Sequence, residues 1–382
     1  MGFHEFSSPY DWSRIAAYKR TAKAAFGGMI DLSMGSPVDP VPDSVRKALA
    51  VAANDPNAYG YPATAGTADL RAAIAEWFSA TRNVDLQAIH ADVVPTVGSK
   101  EGVALMASLL HFGEDDVVVQ PKVSYPTYEI GTQLAGAQVL KVDDVADVAS
   151  WRNVPGVKAV WVNSPCNPTG EVYSAERMAG IVAAAREIGA VVLSDECYAL
   201  MQWRGATNSA DDDPLQSTPC ALRSDVCAGS AEGVLVLYSL SKQSNMAGYR
   251  TAFIAGDESL IASMSAYRKQ IGQIIPGPVQ AAMAAGLRDL ESVKVQHARY
   301  RERLGVLVSA LRAYGYCTDM PDGALYVWVR AKSGDCWTDM EQLAKIGIIA
   351  SPGEFYGAPE CLRFSATASD EAIASAAERL AR

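Results

Sequence analysis

Short apolar runs alternate with amphipathic stretches along the first two thirds of the chain. The apolar runs cover residues 93–97, 116–120, 159–163, 190–194, 234–238 and 251–255. Patterns with a helical period lie between several of them, at 100–110, 125–134 and 174–188. Because the runs are apolar throughout, they predict strands that are buried on both faces. The alternation predicts an α/β fold in which helices cover both faces of a mostly parallel sheet.

The pattern changes after residue 278. A long amphipathic stretch at 279–314 precedes strand-like segments at 324–329 and 361–365 and helix-like segments at 337–346 and 369–380. These segments predict a second, smaller α/β domain. We therefore predict a large domain over residues 43–276 and a smaller one formed by residues 1–42 and 277–382. The stretch at 205–233 contains three consecutive aspartates and many small residues, which predict an extended surface loop.

Composition narrows the class of protein. The chain has 382 residues, of which 49% are hydrophobic and 20% are charged, as in ordinary globular proteins. Its net charge of -10 argues against a broad nucleic-acid surface. The seven cysteines are widely spaced, without a C-x-x-C pair, and no apolar run is long enough to span a membrane. These features predict a reduced, cytoplasmic protein, and the four histidines lack the spacing of metal ligands, so we predict no metal site.

The most informative segment surrounds Lys242, directly after the apolar run at 234–238. In an open α/β sheet, ligands bind beyond the carboxyl ends of the strands. Ser239, Ser241 and Arg250 are close to Lys242 in the sequence, and hydroxyls combined with a guanidinium suit a phosphate. A lysine beside a phosphate site is what a pyridoxal phosphate (PLP) enzyme needs.

Residues 239–250, S-x-S-K-x-x-x-M-x-G-x-R, resemble the cofactor-lysine motif of the fold-type I, class I/II aminotransferases. Residues 163–170, NSPCNPTG, are similar to the N-P-x-N-P-T-G loop of that family, and residues 194–198, SDECY, to its D-E-x-Y motif. The resemblance implies PLP as the cofactor. It also implies a PLP-dependent transferase fold of type I, with a mostly parallel sheet of the seven-stranded type in the large domain.

The resemblance implies a role for each matching residue. Lys242 is implied to bind PLP and to move protons in catalysis, and Asp195 to pair with the pyridine nitrogen. The other implied PLP contacts are Asn167 and Tyr198 at the phenolic oxygen, Tyr125 on the ring, and Ser99, Lys100, Ser239, Ser241 and Arg250 at the phosphate. Tyr61 is implied to reach the phosphate of the neighbouring subunit, which implies a homodimer with shared active sites. Gly35, Asn167 and Arg363 are implied to bind the substrate, with Arg363 on its α-carboxylate.

Residues 31–42, 95–101 and 239–250 resemble the succinyldiaminopimelate aminotransferases of actinobacteria. This implies amino transfer between N-succinyl-LL-2,6-diaminopimelate and 2-oxoglutarate or glutamate, in lysine biosynthesis. The distal arm of such a substrate needs cationic or amide donors, for which the nearby candidates are Arg14, Lys19, Arg20 and Arg204.

Three alternatives stay open. One is another class I/II aminotransferase, acting on aspartate, aromatic amino acids or LL-diaminopimelate. The second is a PLP-dependent carbon–sulfur β-lyase. The third is a non-enzymatic regulator with an aminotransferase-like fold, although the sequence shows no basic helix-turn-helix.

Overall fold

The computed structural model describes residues 11–203, 215 and 218–382. The strands are β1 (Ile30–Asp31), β2 (Ala91–Val97), β3 (Val117–Pro121), β4 (Gln138–Val142), β5 (Val157–Asn163), β6 (Val191–Asp195), β7 (Val234–Ser239), β8 (Thr251–Asp257), β9 (Tyr326–Arg330), β10 (Ile348–Ile349), β11 (Ser351–Pro352) and β12 (Cys361–Ser365). The α-helices are α1 (Ile15–Ala24), α2 (Asp43–Ala52), α3 (Ala68–Arg82), α4 (Ser99–Leu109), α5 (Thr127–Leu134), α6 (Ala175–Glu187), α7 (Ser224–Cys227), α8 (Leu240–Gln243), α9 (Glu258–Gln270), α10 (Gly277–Arg288), α11 (Leu290–Ala313), α12 (Cys336–Lys345) and α13 (Asp370–Leu380). No helix in these described parts of the chain is long and apolar enough to cross a membrane.

The chain divides into two compact units. The larger unit comprises residues 36–301 and 321–324, and the smaller one comprises the chain up to residue 35 together with residues 302–320 and 325–382. Helix α10 packs against α2 and α3, so the larger unit continues well past residue 276. The domain boundaries predicted after residues 42 and 276 stay a prediction, and the compact units divide at other positions.

The larger unit contains a seven-stranded sheet with the order β2-β8-β7-β6-β5-β3-β4. Pairing is parallel from β7 through β6, β5 and β3 to β4, and β8 is antiparallel to both of its neighbours. The predicted α/β class and mostly parallel sheet are therefore confirmed. All six apolar runs form strands of this sheet, whereas edge strand β4 was not predicted because its residues are largely half-buried or exposed.

Two hydrophobic clusters cover the two faces of this sheet. Helices α4, α5 and α9 contribute to one cluster, through side chains that include Met106, Tyr128 and Met264. Helices α3, α6 and α10 contribute to the other, through side chains that include Trp77 and Ile181. Neighbouring residues along a strand point to opposite faces, so strands that are covered on both sides require the continuous apolar runs seen in the sequence.

Two segments differ from the prediction. The amphipathic stretch at 279–314 forms two helices, because the Asp289 carboxylate accepts a hydrogen bond from the Ser292 amide at 3.1 Å and so begins α11 as a new helix. Of the predicted loop at 205–233, residues 204–214, 216 and 217 lie outside the described residues. The prediction of a surface loop is wrong for residues 218–233, which include α7 and bury the apolar side chains of Cys220, Leu222 and Val226.

The smaller unit is built on short strands. Strands β11, β12 and β9 form an antiparallel sheet with β12 in the centre, and β1 pairs with β10 in parallel. Central strand β12 places Arg363 directly opposite Ser351 of β11 and Trp328 of β9. Since opposed residues of paired strands share a sheet face, Arg363, Ser351 and Trp328 project from the same side.

Candidate active site

The predicted chemistry of the larger unit begins where neighbouring parallel strands end. Asn163 ends β5, Asp195 ends β6 and Ser239 ends β7, and the register pairs Asn163 directly with Asp195. Lys242 follows in α8, immediately after β7. The topology therefore gathers motifs that are far apart in the sequence at one edge of the sheet, where open α/β sheets bind ligands.

Asp195 is a buried carboxylate with strong donors around it. It accepts a hydrogen bond from the Tyr128 hydroxyl at 2.8 Å and from the Cys197 amide at 3.1 Å. Burial raises the pKa of Asp195, and these hydrogen bonds counteract part of that increase. Burial and the neighbouring Asp195 charge raise the pKa of Tyr128 well above its usual range, so this phenol stays protonated and donates.

Tyr128, for which the sequence motifs imply no role, lies among other aromatic side chains. Its ring stacks on Trp161 with centroids 4.4 Å apart and lies edge-on to Tyr125 at 5.7 Å. A signal was present, since Tyr128 follows the predicted ring-stacking residue Tyr125 by three positions at the start of α5. What the sequence does not contain is the distance from Tyr128 to Asp195, a residue 67 positions further along.

The thiol of Cys197 lies among three of the predicted residues. Burial raises its pKa well above the usual range, and the charge of Asp195 raises it further. A hydrogen bond with Ser99 and the charge of Lys242 act in the opposite direction. The larger unit thus brings the start of α4, the end of β6 and the lysine of α8 to one place.

Asn163 connects the loop at 163–170 to the end of β6. Its side-chain oxygen accepts a hydrogen bond from the Asn167 amide at 2.8 Å, and its amide nitrogen donates to the Asp195 carbonyl at 2.9 Å. Asn167 and Tyr198 are both buried, with 6% and 7% of their surface exposed. The loop that carries Asn167 is therefore held in place by the strand that carries Asp195.

A group of donors suited to an anion surrounds the start of α4. Gly98 precedes the helix with φ of +77°, and a Cβ at this position would overlap the Arg250 guanidinium. Glycine is favoured here, because φ of +77° is strained for other residues and the absence of a Cβ lets the guanidinium lie against the backbone. The amides of the first turn of α4, including those of Ser99 and the exposed Lys100, have no helical acceptor of their own and favour an anion.

Two serine hydroxyls lie at the end of β7 and directly after it. The Ser239 hydroxyl lies 2.8 Å from the Ser241 hydroxyl and 3.1 Å from the Thr251 carbonyl oxygen. Together with Arg250, these hydroxyls form a donor set whose chemistry fits a phosphate.

A buried ion pair lies directly beside Asp195. Arg82, at the end of α3, donates to the Glu196 carboxylate at 2.9 Å, and neither side chain has more than 1% of its surface exposed. Glu196 also accepts from the Ser194 hydroxyl at 3.0 Å and from the Ala221 amide at 2.8 Å. Burial alone would lower the pKa of Arg82, but the Glu196 charge raises it, so the guanidinium stays charged. The sequence motifs imply no role for Glu196 or for Arg82.

The two substrate-binding residues predicted in the smaller unit both lie against Tyr326, with Arg363 buried and Gly35 half-buried. Arg363 has 5% of its surface exposed, and its Nη2 donates to the Ser33 carbonyl at 2.8 Å. Its Cζ lies 4.0 Å from the ring centroid of Tyr326 and 4.8 Å from that of Tyr356. The Tyr326 hydroxyl fills the space into which a Cβ at Gly35 would project. The sequence motifs predict a substrate-binding role for Arg363 and Gly35, which stays a prediction, and they imply no role for the two tyrosines.

The remaining predicted residues lie elsewhere in their units. Tyr61 is fully exposed on the larger unit. In the smaller unit, Arg14 pairs with Glu354 at 3.5 Å and Lys19 pairs with Asp31 at 2.8 Å, so both cations already have carboxylate partners. Arg20 is exposed, and Arg204 lies outside the described residues.

The larger unit therefore offers a lysine, a buried carboxylate and a phosphate donor set, and this combination fits PLP. A family model described as aminotransferase class I and II matches residues 27–380. The chain belongs to the class I and II aminotransferases, which are PLP-dependent enzymes.

Individual relatives span the whole chain. The chain is 40% identical over 373 residues to 4-dedimethylamino-4-oxo-anhydrotetracycline transaminase OxyQ of Streptomyces rimosus, covering 97% of this chain and 98% of OxyQ. It is 39% identical to the probable aminotransferase Rv1178 of Mycobacterium tuberculosis, covering 97% of this chain and 84% of Rv1178. A solved structure of a probable N-succinyldiaminopimelate aminotransferase from Thermus thermophilus matches with a TM-score of 0.81 and 27% identity, covering 97% of this chain and 99% of that one.

Proposed function

We propose that this aminotransferase moves an amino group between N-succinyl-LL-2,6-diaminopimelate and 2-oxoglutarate or glutamate, as a step in lysine biosynthesis. The main support for an α-amino acid as the substrate is the buried Arg363, because a planar guanidinium can bind a carboxylate with two parallel hydrogen bonds. The resemblance of residues 31–42, 95–101 and 239–250 to succinyldiaminopimelate aminotransferases supports the particular substrate. Similarity to the Thermus thermophilus structure gives further support.

Bound PLP supplies a ring that withdraws electrons from the substrate α-carbon. In the proposed mechanism, the Lys242 amine would hold the cofactor covalently until the substrate amino group replaces it. The freed Lys242 amine would then take the α-proton as general base and return a proton as general acid. Asp195 places a negative charge at the pyridine nitrogen, and Tyr128 and the Cys197 amide hold that carboxylate in position. Arg363 fixes the substrate carboxylate, with Gly35 and Asn167 as further substrate contacts.

The other site residues are proposed to hold the cofactor. Tyr125 stacks on its ring, Asn167 and Tyr198 bond its phenolic oxygen, and the phosphate is bound by Ser99, Lys100, Ser239, Ser241 and Arg250. Tyr61 of the partner subunit completes the phosphate site in a homodimer. Tyr61 is fully exposed in the single chain, as a side chain that reaches a neighbouring subunit has to be.

A second candidate acceptor is a ketone like that of 4-dedimethylamino-4-oxo-anhydrotetracycline, which is favoured by the similarity to OxyQ. In that reaction, Arg363 would bind only the amino-acid donor. The aspartate, aromatic and LL-diaminopimelate aminotransferases and the carbon–sulfur β-lyase stay as alternatives from the sequence.

A titration of the PLP-loaded enzyme with amino donors tests the proposal. The donors are glutamate, N-succinyl-diaminopimelate, free diaminopimelate, aspartate and an aromatic amino acid, and the loss of the visible cofactor absorbance is measured. We expect glutamate and the succinylated compound to react efficiently and the others poorly. If aspartate or the aromatic donor reacts as well, the lysine-pathway substrate is wrong. Release of pyruvate from cystathionine without an oxo-acid acceptor would identify the β-lyase instead.

A further inference from the structure

Two aromatic rings cover the Arg363 guanidinium in the smaller unit. The Tyr326 and Tyr356 ring centroids lie 4.0 and 4.8 Å from the guanidinium carbon. All three residues are at least 95% buried, since Arg363 and Tyr356 are 5% exposed and Tyr326 is 2% exposed. Buried contacts between a guanidinium and an aromatic face are stronger than exposed ones, because water does not compete for the cation.

The strand register explains how Tyr326 reaches Arg363. Tyr326 pairs with Ser365 and lies two residues before Trp328, which is directly opposite Arg363. Side chains two residues apart on a strand share a face, so Tyr326 is the diagonal neighbour of Arg363.

The second ring is supported by the cross-strand neighbours of Arg363. The Tyr356 hydroxyl lies 3.2 Å from the Ser351 hydroxyl, and its ring meets Trp328 at 90° with centroids 6.0 Å apart. Ser351 and Trp328 are the two residues directly opposite Arg363 in the sheet. The ring is therefore fixed by the same sheet that fixes the arginine.

We propose that Tyr326 and Tyr356 are positioning residues that hold the Arg363 guanidinium in one orientation for an α-carboxylate. The proposal rests on the carboxylate role of Arg363 proposed above. Rings over a guanidinium restrict its rotation while its N–H groups donate within its own plane. The carboxylate then binds a side chain whose rotational freedom is already lost, which strengthens binding without changing the chemical step. Tyr326 also contacts Gly35, the second residue proposed to bind this part of the substrate.

The smaller unit provides a matched control. Lys332 also lies over two tyrosine rings, at 3.7 Å from the Tyr314 centroid and 5.1 Å from that of Tyr316, but Lys332 is exposed. Tyr314→Leu therefore removes a ring from a cation without affecting Arg363. Differences between this variant and Tyr356→Leu report on the site and not on the loss of a ring in general.

The experiment measures two quantities on the PLP-loaded enzyme. These are the kcat and KM for glutamate, and the Kd of glutarate, which has the same carboxylates but no amino group to react. The variants are Tyr326→Leu, Tyr356→Leu, Tyr356→Phe, Tyr314→Leu and Arg363→Lys. Each Leu variant is expected to raise KM and the glutarate Kd by about 2- to 30-fold, with kcat within twofold of wild type. Tyr356→Phe keeps the ring and is expected to retain wild-type affinity within about threefold, as is Tyr314→Leu.

Pentafluorophenylalanine at position 356 gives a test that does not depend on the Leu variants folding. This ring has nearly the same shape as phenylalanine, but fluorine withdraws the negative charge from its face. We expect it to raise the glutarate Kd relative to Tyr356→Phe. Equal affinities in these two proteins would overturn the proposal, as would a Leu variant that lowers kcat as much as it raises KM.

Arg363→Lys separates this proposal from the one on which it rests. It is expected to raise KM and the glutarate Kd by about 10- to 100-fold, because a bidentate charged hydrogen bond is lost. Unchanged glutarate binding in Arg363→Lys would overturn the carboxylate role itself and the positioning role with it. Weakened binding in Arg363→Lys but wild-type binding in both Leu variants would overturn the positioning role alone.

Discussion

The two compact units hold their candidate functional side chains in different ways. In the larger unit, Asp195 and Lys242 lie where parallel strands end, and short loops there supply backbone donors. In the smaller unit, Arg363 lies at the middle of an antiparallel strand, and its neighbours Tyr326 and Tyr356 come from other segments of the unit. A strand-end site keeps its residues inside short sequence motifs, whereas a site on a sheet face depends on the register between strands.

The two arrangements also stabilise buried charge differently. Asp195 is surrounded by hydrogen-bond donors, and the adjacent Glu196 has a cation and two further donors. Arg363 donates to the Ser33 carbonyl and lies against two aromatic faces. Donors fix the charge state of a carboxylate, while rings fix the orientation of a guanidinium. In the proposed function, the larger unit therefore carries out the chemistry and the smaller one orients the substrate.

The largest expected effect tests whether the chemistry belongs to the larger unit. Lys242→Ala removes the amine proposed as general base and acid, so kcat should fall on the order of 10⁴-fold. The variant should still bind PLP without a covalent bond, which absorbance of the dialysed protein measures. Lys141→Ala is the control, because this ammonium is paired with Glu129 on the surface of the same unit. Normal turnover by Lys242→Ala would break the assignment.

A buried ion pair beside the site gives the largest expected effect on stability. Arg82→Met leaves the Glu196 charge buried without its cation, which should cost about 3–5 kcal/mol of the free energy of unfolding. Urea unfolding measures it at one fixed protein concentration, because the stability of the proposed homodimer would depend on concentration. Adding Glu196→Gln removes the unpaired charge but keeps an acceptor for Ser194 and Ala221, and should recover at least half of the loss. A double variant as unstable as Arg82→Met would contradict this explanation.

The difference between the units also explains what the sequence predicts. Parallel strands buried on both faces require continuous apolar runs, so the sheet of the larger unit could be predicted almost strand by strand. Asp195 and Lys242 could be predicted because each follows such a run within a recognisable motif. Edge strand β4 was missed, since a partly exposed strand has no need of an apolar run.

The interactions that were not predicted join residues that are far apart in the sequence. Tyr128 contacts Asp195 across 67 positions, and Arg82 contacts Glu196 across 114. Each contact depends on how a helix packs on the sheet, which the local pattern of residues does not specify. The buried part of 218–233 was misjudged for a related reason, because small residues fit both an exposed loop and a tightly packed segment.

The next prediction concerns the negative charge of Asp195. Asp195→Asn keeps the shape of the side chain but removes its charge, and kcat should fall by about 10²–10³-fold, as for other charge-stabilising groups. The KM for glutamate should change far less, since substrate orientation is assigned to Arg363. Steady-state kinetics of the PLP-loaded variant measure both. Equal losses in kcat and in affinity would argue against an electronic role for Asp195.

The same variant should show a pH-dependent gain in stability. Burial raises the pKa of Asp195 above 3.8, so the folded state binds the proton more tightly than the unfolded state. Its contribution to stability is therefore greatest at low pH and decreases as pH rises from about 3.8 through the raised value. After removal of PLP, Asp195→Asn should be more stable than wild type above that window and lose its advantage below it. Thermal unfolding of both apoproteins across pH measures the difference, and a constant offset at all pH values would contradict the sign.

The smallest expected effect shows whether the burial of an ion pair, and not only its presence, determines how much it stabilises the protein. Arg288→Met makes the same substitution as Arg82→Met, in the same unit, and Arg288 likewise pairs with acidic side chains, Glu76 at 2.7 Å and Asp69 at 2.8 Å. The difference is exposure, since the Arg288 side chain is 39% exposed and those of its partners are 58% and 65% exposed. Water solvates the carboxylates that remain, so the shift in the urea midpoint should be at most roughly a fifth of that caused by Arg82→Met. Because Arg288 lowers the pKa of Glu76, this small contribution should disappear as pH falls below the usual range of a glutamate. Equal shifts in the two variants would mean that the burial of the ion pair does not determine how much these arginines stabilise the larger unit.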